Sequence, residues 1–351
     1  MHKPKDDENE ASYHQRYCRG GGVNHCVVSH VLRNDSYAAK VRPETRQRIM
    51  ELARKMGYRR NTLASAVRTG QVNTIAVILN FDALQNIPPA SQIISGIMME
   101  TAVRKYSVKI FSESELTKAF QTIVENRIGK VISVSVDHAV REKTAELAEK
   151  YGLDLVYAYE RGHRKFPAVN TDNVEMTSRA VRYLAENGHK RIGLLCSPHA
   201  LFFQSERHEG FLKGMKECGL KAEPRWIVCA ENHDEALDFL LTLPAGQRPT
   251  AFVAAVDADG VRALNRAWKR GLRIPEEFSV IGIGDTESAR LAVTPLTTFR
   301  ESLQDTGKLL VRMVLGDKPD FPPDEYNVYR THAKLIERES VFHKKSLRRK
   351  K

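Results

Sequence analysis

The chain of 351 residues has few cysteines and no long apolar run. Its five cysteines, Cys18, Cys26, Cys196, Cys218 and Cys229, lie far apart, without a CxxC pair or a Cys/His spacing typical of a zinc site. We therefore expect reduced thiols and neither a disulfide framework nor a metal site. No apolar stretch is long enough for a signal peptide or a membrane span, so neither export nor membrane insertion is expected.

Motifs of common enzymes are also missing. The chain has no GxSxG, no P-loop and no HExxH, and nothing marks a catalytic pair among its many carboxylates. The sequence thus predicts a protein that is not an enzyme and that needs no cofactor and no metal. An enzyme built on the α/β part of the chain stays an alternative that turnover of a panel of glycosides would test.

Acidic residues are scarce near the amino terminus. Residues 11–70 hold 12 Lys or Arg and only 3 Asp or Glu, while the whole chain has a formal net charge of +12. Residues 341–351 add six more positive charges, and the middle of the chain is nearly balanced. Positive charge concentrated at the two ends of the chain indicates that the protein binds a polyanion. The alternative, a protein that is basic throughout, disagrees with the nearly balanced middle.

The segment from Gly22 to Leu32 predicts a short helix with one apolar face. Asn24 is a residue type that caps a helix by accepting free backbone N–H groups. The apolar residues recur at helical spacing and predict an inward face: Val27, Val28, Val31 and Leu32. The opposite face carries hydrogen-bonding side chains that a major groove can accept: His25, Cys26, Ser29, His30 and Arg33.

A second helix is predicted from Pro43, a residue tolerated in a first helical turn, to Gly57, which ends it. Its apolar residues again recur at helical spacing: Ile49, Leu52, Ala53 and Met56. A Lys/Arg-rich helix is usually just a solvated one. The order of the pieces therefore matters more than any single piece.

Taken in order, VSHVL, PETR, GYRRN and LASAVRTG, followed at once by TIAVIL, resemble the lactose-repressor/galactose-repressor family of bacterial transcription regulators. The resemblance implies a helix-turn-helix head and a hinge helix. It implies that base edges are read by His25, Cys26 and His30, and that phosphates are contacted by Ser29, Thr45, Arg46 and Asn61. It further implies that Tyr58 braces the head, and that Ala64 and Val67 of the hinge helix enter the minor groove. Arg33 and Arg68 complete the predicted DNA-binding set.

The head departs from the family pattern at several positions. Val67 stands where the family usually has Leu, and Arg60 where it usually has Pro. Residues 13–22 include three consecutive glycines, which cost roughly 1 kcal/mol each in a helix relative to Ala. Two compensating frameshifts around residues 13–22 would restore the family pattern; a genuinely diverged first helix is the alternative. In the latter case the protein is a soluble sugar-binding sensor with impaired DNA binding.

From Thr74 the chain alternates short apolar runs with amphipathic helices, a pattern that predicts βαβ units and parallel sheets. The span is too long for one such sheet, so we expect an α/β core of two lobes, like a periplasmic binding protein. A periplasmic location itself is disfavoured by the missing signal peptide and the basic head. The predicted order is a disordered lead (1–12), the helix-turn-helix domain (13–60), hinge helix and linker (61–73), two-lobed effector-binding and dimerisation domain (74–340) and basic tail (341–351).

Small ligands of two-lobed α/β proteins bind beyond the carboxyl ends of the strands. The resemblance continues there with FPAVNTDN, SERHEGF and GLRIPEEFSVIGIGD. It implies that Arg207 and Asp257 hold effector hydroxyl or carboxylate groups and that Asp172 lies at the rim. Phe81, Phe202 and Phe203 are candidate apolar walls. An Asp after a strand is more often structural than ligand-binding, and this alternative stays open for Asp172 and Asp257.

One family acidic position is glycine in this chain, Gly284, which disfavours an effector recognised through that carboxylate.

The resemblance as a whole implies a cytoplasmic, nucleoid-associated regulator, most simply a repressor, that binds a near-palindromic operator in double-stranded DNA as a homodimer or tetramer. The expected effector is a sugar or sugar-like polyol. No membrane partner is expected.

Overall fold

The computed structural model describes residues 24–33, 36–56, 72–81, 88–159, 161–198, 201–230 and 232–343. The chain divides into two units, of which one ends at Val72 and the other begins at Asn73. Predictions on the disordered lead, residues 13–22, the hinge helix and residues 344–351 of the basic tail lie outside the described residues. Val341, the first residue of the predicted tail, is buried in the core of the second lobe.

The first unit contains the two helices that the sequence predicts. Helix α1 spans His25–Arg33 and helix α2 spans Pro43–Lys55, with one 3-10 turn between them over Ala38–Lys40. The Asn24 side chain accepts a hydrogen bond from the Cys26 N–H at 3.0 Å, which confirms the predicted cap. The predicted apolar faces form the core of the unit, where Val28 and Val31 pack against Ile49 and Ala53.

The second unit contains two six-stranded sheets. The first sheet has the order β11-β5-β4-β3-β1-β2, and every pair of neighbours is parallel. Its strands are β1 (Thr74–Leu79), β2 (Ser107–Ser112), β3 (Lys130–Val134), β4 (Asp154–Ala158), β5 (Ala168–Thr171) and β11 (Val328–Thr331). The second sheet has the order β12-β10-β9-β8-β6-β7. Its strands are β6 (Ile192–Cys196), β7 (Ile227–Cys229), β8 (Ala251–Ala254), β9 (Ser279–Ile283), β10 (Thr297–Glu301) and β12 (Ala333–Ile336).

Helices cover both sheets. The helices of the first lobe are α3 (Pro88–Arg104), α4 (Leu116–Glu125), α5 (His138–Tyr151) and α11 (Leu303–Val314). The helices of the second lobe are α6 (Asn173–Glu186), α7 (Phe202–Glu217), α8 (Asp234–Thr242), α9 (Asp257–Lys269) and α10 (Glu287–Leu291). Each lobe has its own apolar core, one around Ile75, Val77 and Ile132 and the other around Leu194, Val253 and Ile281.

The chain passes between the lobes three times, at residues 171–173, 301–303 and 331–333. The last passage explains a departure from the predicted parallel sheets. Strand β12 runs antiparallel to β10, because it begins where the chain arrives from the first lobe, at the end where the parallel strands finish. The three passages place the carboxyl ends of both sheets next to the same set of connections.

The expectation of reduced thiols throughout is wrong for one pair. Cys196 and Cys229 are in register at the ends of β6 and β7, with their Cα atoms 4.6 Å apart, and they form a disulfide. Parallel pairing brought together two residues that are 33 positions apart, which spacing along the sequence does not reveal. Cys26 and Cys218 are free.

None of the described helices is both long and apolar enough to cross a membrane. Within the same residues, no group of three His, Cys, Asp or Glu side chains is arranged to hold a metal ion.

Candidate functional site

Arg207 lies at the junction of the two lobes. It is placed by helix α7, is 5% exposed, and directs its guanidinium towards two of the three passages. Its Nε donates to Asn173 Oδ1 at 2.9 Å, and its Nη2 lies 3.2 Å from Glu301 Oε2. Its Nη1 donates to the Ala255 carbonyl, which follows strand β8, at 2.6 Å. A single buried guanidinium thus ties the second lobe to the connections between the lobes.

The neighbouring residue, Glu206, forms an ion pair across the lobes. Both of its carboxylate oxygens accept from Arg330 of strand β11, at 2.7 and 3.2 Å, and Asn173 Nδ2 donates to it at 3.0 Å. Burial raises the pKa of Glu206 above its ordinary value, and the hydrogen bonds from Arg330 and Asn173 offset this only in part. The bidentate geometry requires a charged carboxylate, so we assign an ionised pair. Arg330 and Arg207 are therefore both paired with carboxylates.

Three buried polar atoms at the contacts between the lobes have no hydrogen-bond partner among the described residues, and one of them, Arg161 Nε, belongs to the stack described below. The first of the other two is the buried hydroxyl oxygen of Tyr159, which follows strand β4. Burial raises the pKa of this phenol well above its usual value; the charge of Glu301 adds to the increase and that of Arg207 opposes it. The hydroxyl therefore lies within electrostatic range of the Arg207–Glu301 pair. The second atom is Oε1 of Gln204, a buried residue in the first turn of α7.

The backbone of Tyr159 is strained and firmly held. Its φ of +69° lies in the left-handed region, which a bulky residue rarely adopts. Its N–H donates to the Val169 carbonyl at 3.2 Å, and its carbonyl accepts from Asn170 Nδ2 at 2.8 Å. Strained backbone and unsatisfied buried polar atoms both occur preferentially where a ligand binds. Sequence reasoning missed Tyr159 and Gln204, because neither belongs to a recognisable motif.

Aromatic side chains and arginines form a second contact between the lobes. The Arg161 guanidinium lies between two rings, 4.1 Å from the centroid of Phe202 in the second lobe and 3.7 Å from that of Tyr326 beside strand β11. The Gly162 N–H donates to the Tyr326 carbonyl at 2.9 Å, which fixes the Arg161–Tyr326 half of the stack. The guanidinium of Arg207 similarly lies 4.9 Å from the ring of Phe203. Phe202 and Phe203, predicted as apolar walls, thus each stack on an arginine.

The carboxylate of Asp257 is held in place by hydrogen bonds from two threonines. Its Oδ1 accepts from Thr298 Oγ1 at 2.6 Å, and its Oδ2 accepts from the backbone and hydroxyl of Thr286 at 2.7 and 3.0 Å. The residue is 1% exposed. These contacts agree with the structural alternative for Asp257, and its contact with the effector stays a prediction.

Gly284, which stands where the family usually has an acidic residue, lies next to this carboxylate. Its φ is +133°, and a Cβ built on it would lie 3.3 Å from Asp257 Oδ2. Both the backbone conformation and the close approach require glycine at this position.

The two remaining predicted effector residues lie apart from the junction contacts. Asp172 caps helix α6 by accepting from the Glu175 N–H at 2.9 Å, as its structural alternative expected. Phe81 follows strand β1 and is 49% exposed. The predicted set therefore does not form one cluster: Arg207, Phe202 and Phe203 gather around the junction, and Asp172 and Phe81 do not contact them through any described hydrogen bond or ring contact.

The structure describes some of the residues that were predicted to bind DNA. Cys26 of α1 and Arg46 of α2 are exposed, and Ser29, His30 and Thr45 are half-buried. The His30 ring lies 4.5 Å from the Tyr37 ring, which limits its orientation. His25 and Arg33 belong to α1, but their side chains lie outside the described part of the chain. The other predicted DNA contacts lie outside it entirely: Tyr58, Asn61, Ala64, Val67 and Arg68.

Together, the small helical unit and the two interleaved α/β lobes define a ligand-binding core attached to a helix-turn-helix head. The family model described as "periplasmic binding protein-like domain" matches residues 181–341. The HTH-type transcriptional repressor CytR of Escherichia coli is 30% identical over 300 residues, which cover 84% of this chain and 86% of the relative. The HTH-type transcriptional repressor PurR of Pasteurella multocida is 23% identical over 329 residues, which cover 91% and 96%.

Solved structures show the same fold. The lac repressor dimer bound to operator and the anti-inducer ONPF superposes with a TM-score of 0.69 at 19% identity, covering 93% of this chain and 98% of that one. A complex of the transcriptional regulator CelR with cellobiose has a TM-score of 0.65 at 21% identity, covering 93% and 99%.

The chain belongs to the lactose-repressor/galactose-repressor family. It is a DNA-binding transcription regulator with an effector-binding core, and it is not an enzyme. The relatives support this function and not the alternative of a sensor that has lost DNA binding.

Proposed function

We propose that the protein is a cytoplasmic, homodimeric repressor whose affinity for a near-palindromic operator is set by an uncharged, hydroxyl-rich effector, a sugar or sugar-like polyol. The effector binds at the lobe junction beside Tyr159, Gln204 and Arg207. The observation that carries the proposal is the pair of unsatisfied polar atoms near the buried guanidinium of Arg207.

The charge balance of the junction supports an uncharged ligand. Arg207 is paired with Glu301 and Arg330 with Glu206, so a charged ligand that bound either of these two arginines would have to break a buried ion pair. A hydroxyl group can instead accept from the Tyr159 phenol and donate to Gln204 Oε1 without disturbing either pair. Phe203, stacked under Arg207, offers an apolar face for a sugar ring.

Exposed apolar residues support the dimer. Leu291 and Val293, at the end of helix α10, are 77% and 78% exposed. Exposed apolar side chains that lie close together often mark a protein–protein interface. A second copy of the chain would cover them and would bring two heads to two half-sites of the operator.

In each head, helix α1 reads the major groove with His25, Cys26 and His30, while Ser29, Thr45, Arg46 and Asn61 contact phosphates. Arg33 and Arg68 add positive charge, Tyr58 braces the head, and Ala64 and Val67 enter the minor groove. The effector shifts operator affinity only as far as it binds the two lobe arrangements with different affinity.

Selection of genomic DNA by the full-length protein, with and without a panel of neutral sugars, tests the proposal. We expect enrichment of a near-palindromic site and its loss or gain with one class of sugar. Arg207→Gln is expected to keep operator binding and to lose the response to sugar. Arg225→Gln, which removes an exposed arginine of the same lobe, is the matched control and should respond normally. An unchanged response in Arg207→Gln would refute the proposed site.

Within the head, His30→Ala should change base preference, whereas Arg46→Ala should weaken binding to all sequences alike, because phosphate contacts carry no sequence information. Equal losses on operator and on random DNA for both variants would contradict these roles.

A further inference from the structure

The disulfide between Cys196 and Cys229 connects the edge of the second sheet to the candidate effector site. Cys196 ends β6 and is fully buried, whereas Cys229 ends the edge strand β7 and is half-buried. The chain leaving Cys196 leads into helix α7, which carries Phe203, Gln204 and Arg207. The covalent bond therefore lies at the base of the segment that presents these three side chains.

A protein that regulates transcription works in a compartment that keeps thiols reduced. Disulfides of cytosolic proteins are usually transient, and they serve redox sensing or catalysis. This step rests on the proposed function, because that function places the chain in the cytoplasm. We propose that Cys196 and Cys229 form a reversible thiol–disulfide pair that adjusts the effector site to the redox state of the cell.

The oxidant is a low-molecular-weight disulfide such as oxidised glutathione. The Cys229 thiolate, which is the more exposed of the two, attacks one sulfur of oxidised glutathione, forms a mixed disulfide and releases one glutathione thiolate. The Cys196 thiolate then attacks Sγ of Cys229, closes the protein disulfide and releases the second glutathione thiolate. The two cysteines lose two electrons, glutathione disulfide gains them, and the two released thiolates take up the two protons. Reduction by glutathione reverses both steps.

Reduction changes the contacts at the strand ends. Two thiols keep to van der Waals contact, so one sulfur must move away from the other when the bond is broken. Cys196 is held in the apolar core of the second lobe, so the movement falls on Cys229 and the loop after it. That loop is fastened to Cys196, whose carbonyl accepts from the Ala230 N–H at 3.0 Å and lies 2.9 Å from His233 Nε2.

The same loop is coupled to helix α9. His233 is 1% exposed, and its Nδ1 lies 3.3 Å from Asp259 Oδ1. Movement of Cys229 thus loosens the Cys196 carbonyl from His233, and Cys196 precedes α7 in the chain. The oxidised form is the one in which Gln204 and Arg207 are held in place for the effector.

Equilibration of the full-length protein with mixtures of reduced and oxidised glutathione, followed by alkylation and peptide mass spectrometry, tests the redox pair. We expect two of the five thiols, those of Cys196 and Cys229, to disappear and return together as the ratio is changed. Cys229→Ser should leave Cys196 reduced throughout. Cys218→Ser, which removes a half-buried free cysteine at the end of α7, should titrate like the unmodified chain.

Two results would overturn the reversible pair. Cys196 and Cys229 could remain reduced at every ratio, or they could remain bonded in excess reduced glutathione, which would make the bond a permanent structural one.

Hydrogen exchange tests the coupling to the effector site without DNA or effector. Peptides from the first turns of α7 should exchange more slowly in the oxidised protein than in the reduced one, and equally in both conditions for Cys229→Ser. Equal exchange in the unmodified chain would refute the coupling. Because neither readout uses DNA or sugar, a failed operator selection would count against the proposed function alone.

Discussion

At the scale of single residues, the hydroxyl of Tyr159 costs the folded protein free energy, because it is buried without a partner in the described structure. Tyr157, two positions earlier on strand β4, is fully buried, and its hydroxyl donates to the Arg141 carbonyl at 2.9 Å. The two phenols therefore form a natural pair for comparison.

Tyr159→Phe is expected to leave the free energy of unfolding unchanged or to increase it, and to weaken effector binding about tenfold, the value of roughly one hydrogen bond. Denaturant unfolding and titration with the sugar found by selection measure the two effects. Tyr157→Phe is the control and should show the opposite result: a loss of about 1 kcal/mol in stability and normal effector affinity. If both variants lose affinity equally, Tyr159 has no special role.

His189 makes the stability depend on pH. Burial lowers its pKa from 6.5 to about 4, so the folded protein keeps it neutral, with Nδ1 3.0 Å from Thr250 Oγ1. Below pH 6.5 the unfolded chain takes up a proton that folded His189 does not. Stability is therefore complete above pH 6.5 and falls as the pH approaches 4, by up to about 3 kcal/mol.

Unfolding by denaturant at pH values between 7.5 and 4.5 checks this expectation. His189→Gln keeps a polar partner for Thr250 and removes the titration, so the difference in stability between the two proteins should shrink as the pH falls. Parallel pH profiles for the two proteins would contradict the assignment.

At the scale of elements, the stack of Arg161 between Phe202 and Tyr326 holds α7 of the second lobe against the first lobe. Cation–π contacts of this kind contribute about 0.5 to 2 kcal/mol each. Arg161→Ala should therefore favour a more open lobe arrangement, seen as a larger radius of gyration in small-angle scattering.

Arg164→Ala is the matched control for this stack. It removes the same charge three residues later, but among the described residues Arg164 forms ion pairs with Glu142 and Glu149, both of the first lobe. The radius of gyration should then stay unchanged. An identical change in both variants would assign the effect to charge and not to stacking.

The sequence predicted those elements whose apolar pattern is complete. Strands β1, β3, β6 and β8 are almost entirely buried, and each is a short apolar run of the kind that predicts βαβ units. Strands β10, β11 and β12 have a weak apolar pattern, and pairing with neighbouring strands, such as that of β11 with β5 far along the chain, compensates for it.

The residues of the site were likewise predictable only where a local sequence motif contains them. Arg207 belongs to a motif and was predicted from the sequence. Glu206, Glu301 and Arg330 gain their meaning from contacts across the two lobes, between residues up to 124 positions apart, as in Glu206–Arg330. No local pattern encodes such a contact. For Asp257, the motif does not reveal the hydrogen bonds from Thr286 and Thr298 that hold its carboxylate in the structure.

At the scale of the whole molecule, the proposed dimer controls operator binding. Leu291→Asp combined with Val293→Asp should produce a monomer in sedimentation experiments, because two charges would be buried in the interface. Operator affinity should fall by about 10²- to 10⁴-fold, since two linked heads bind much more tightly than one.

Val124→Asp, which places a charge at a 40% exposed position of α4, serves as the control for the dimer and should sediment like the unmodified protein. A double variant that stays dimeric would move the interface elsewhere.

The three passages of the chain between the lobes have a consequence for biosynthesis. The first sheet lacks β11 until residue 331 has been made, and the second lacks β12 until residue 336. Neither lobe can therefore be completed on the ribosome while the last part of the chain is still in the exit tunnel. A premature stop codon shortly before these strands would remove an edge strand from both sheets at once, so late truncations of the gene should destabilise both lobes.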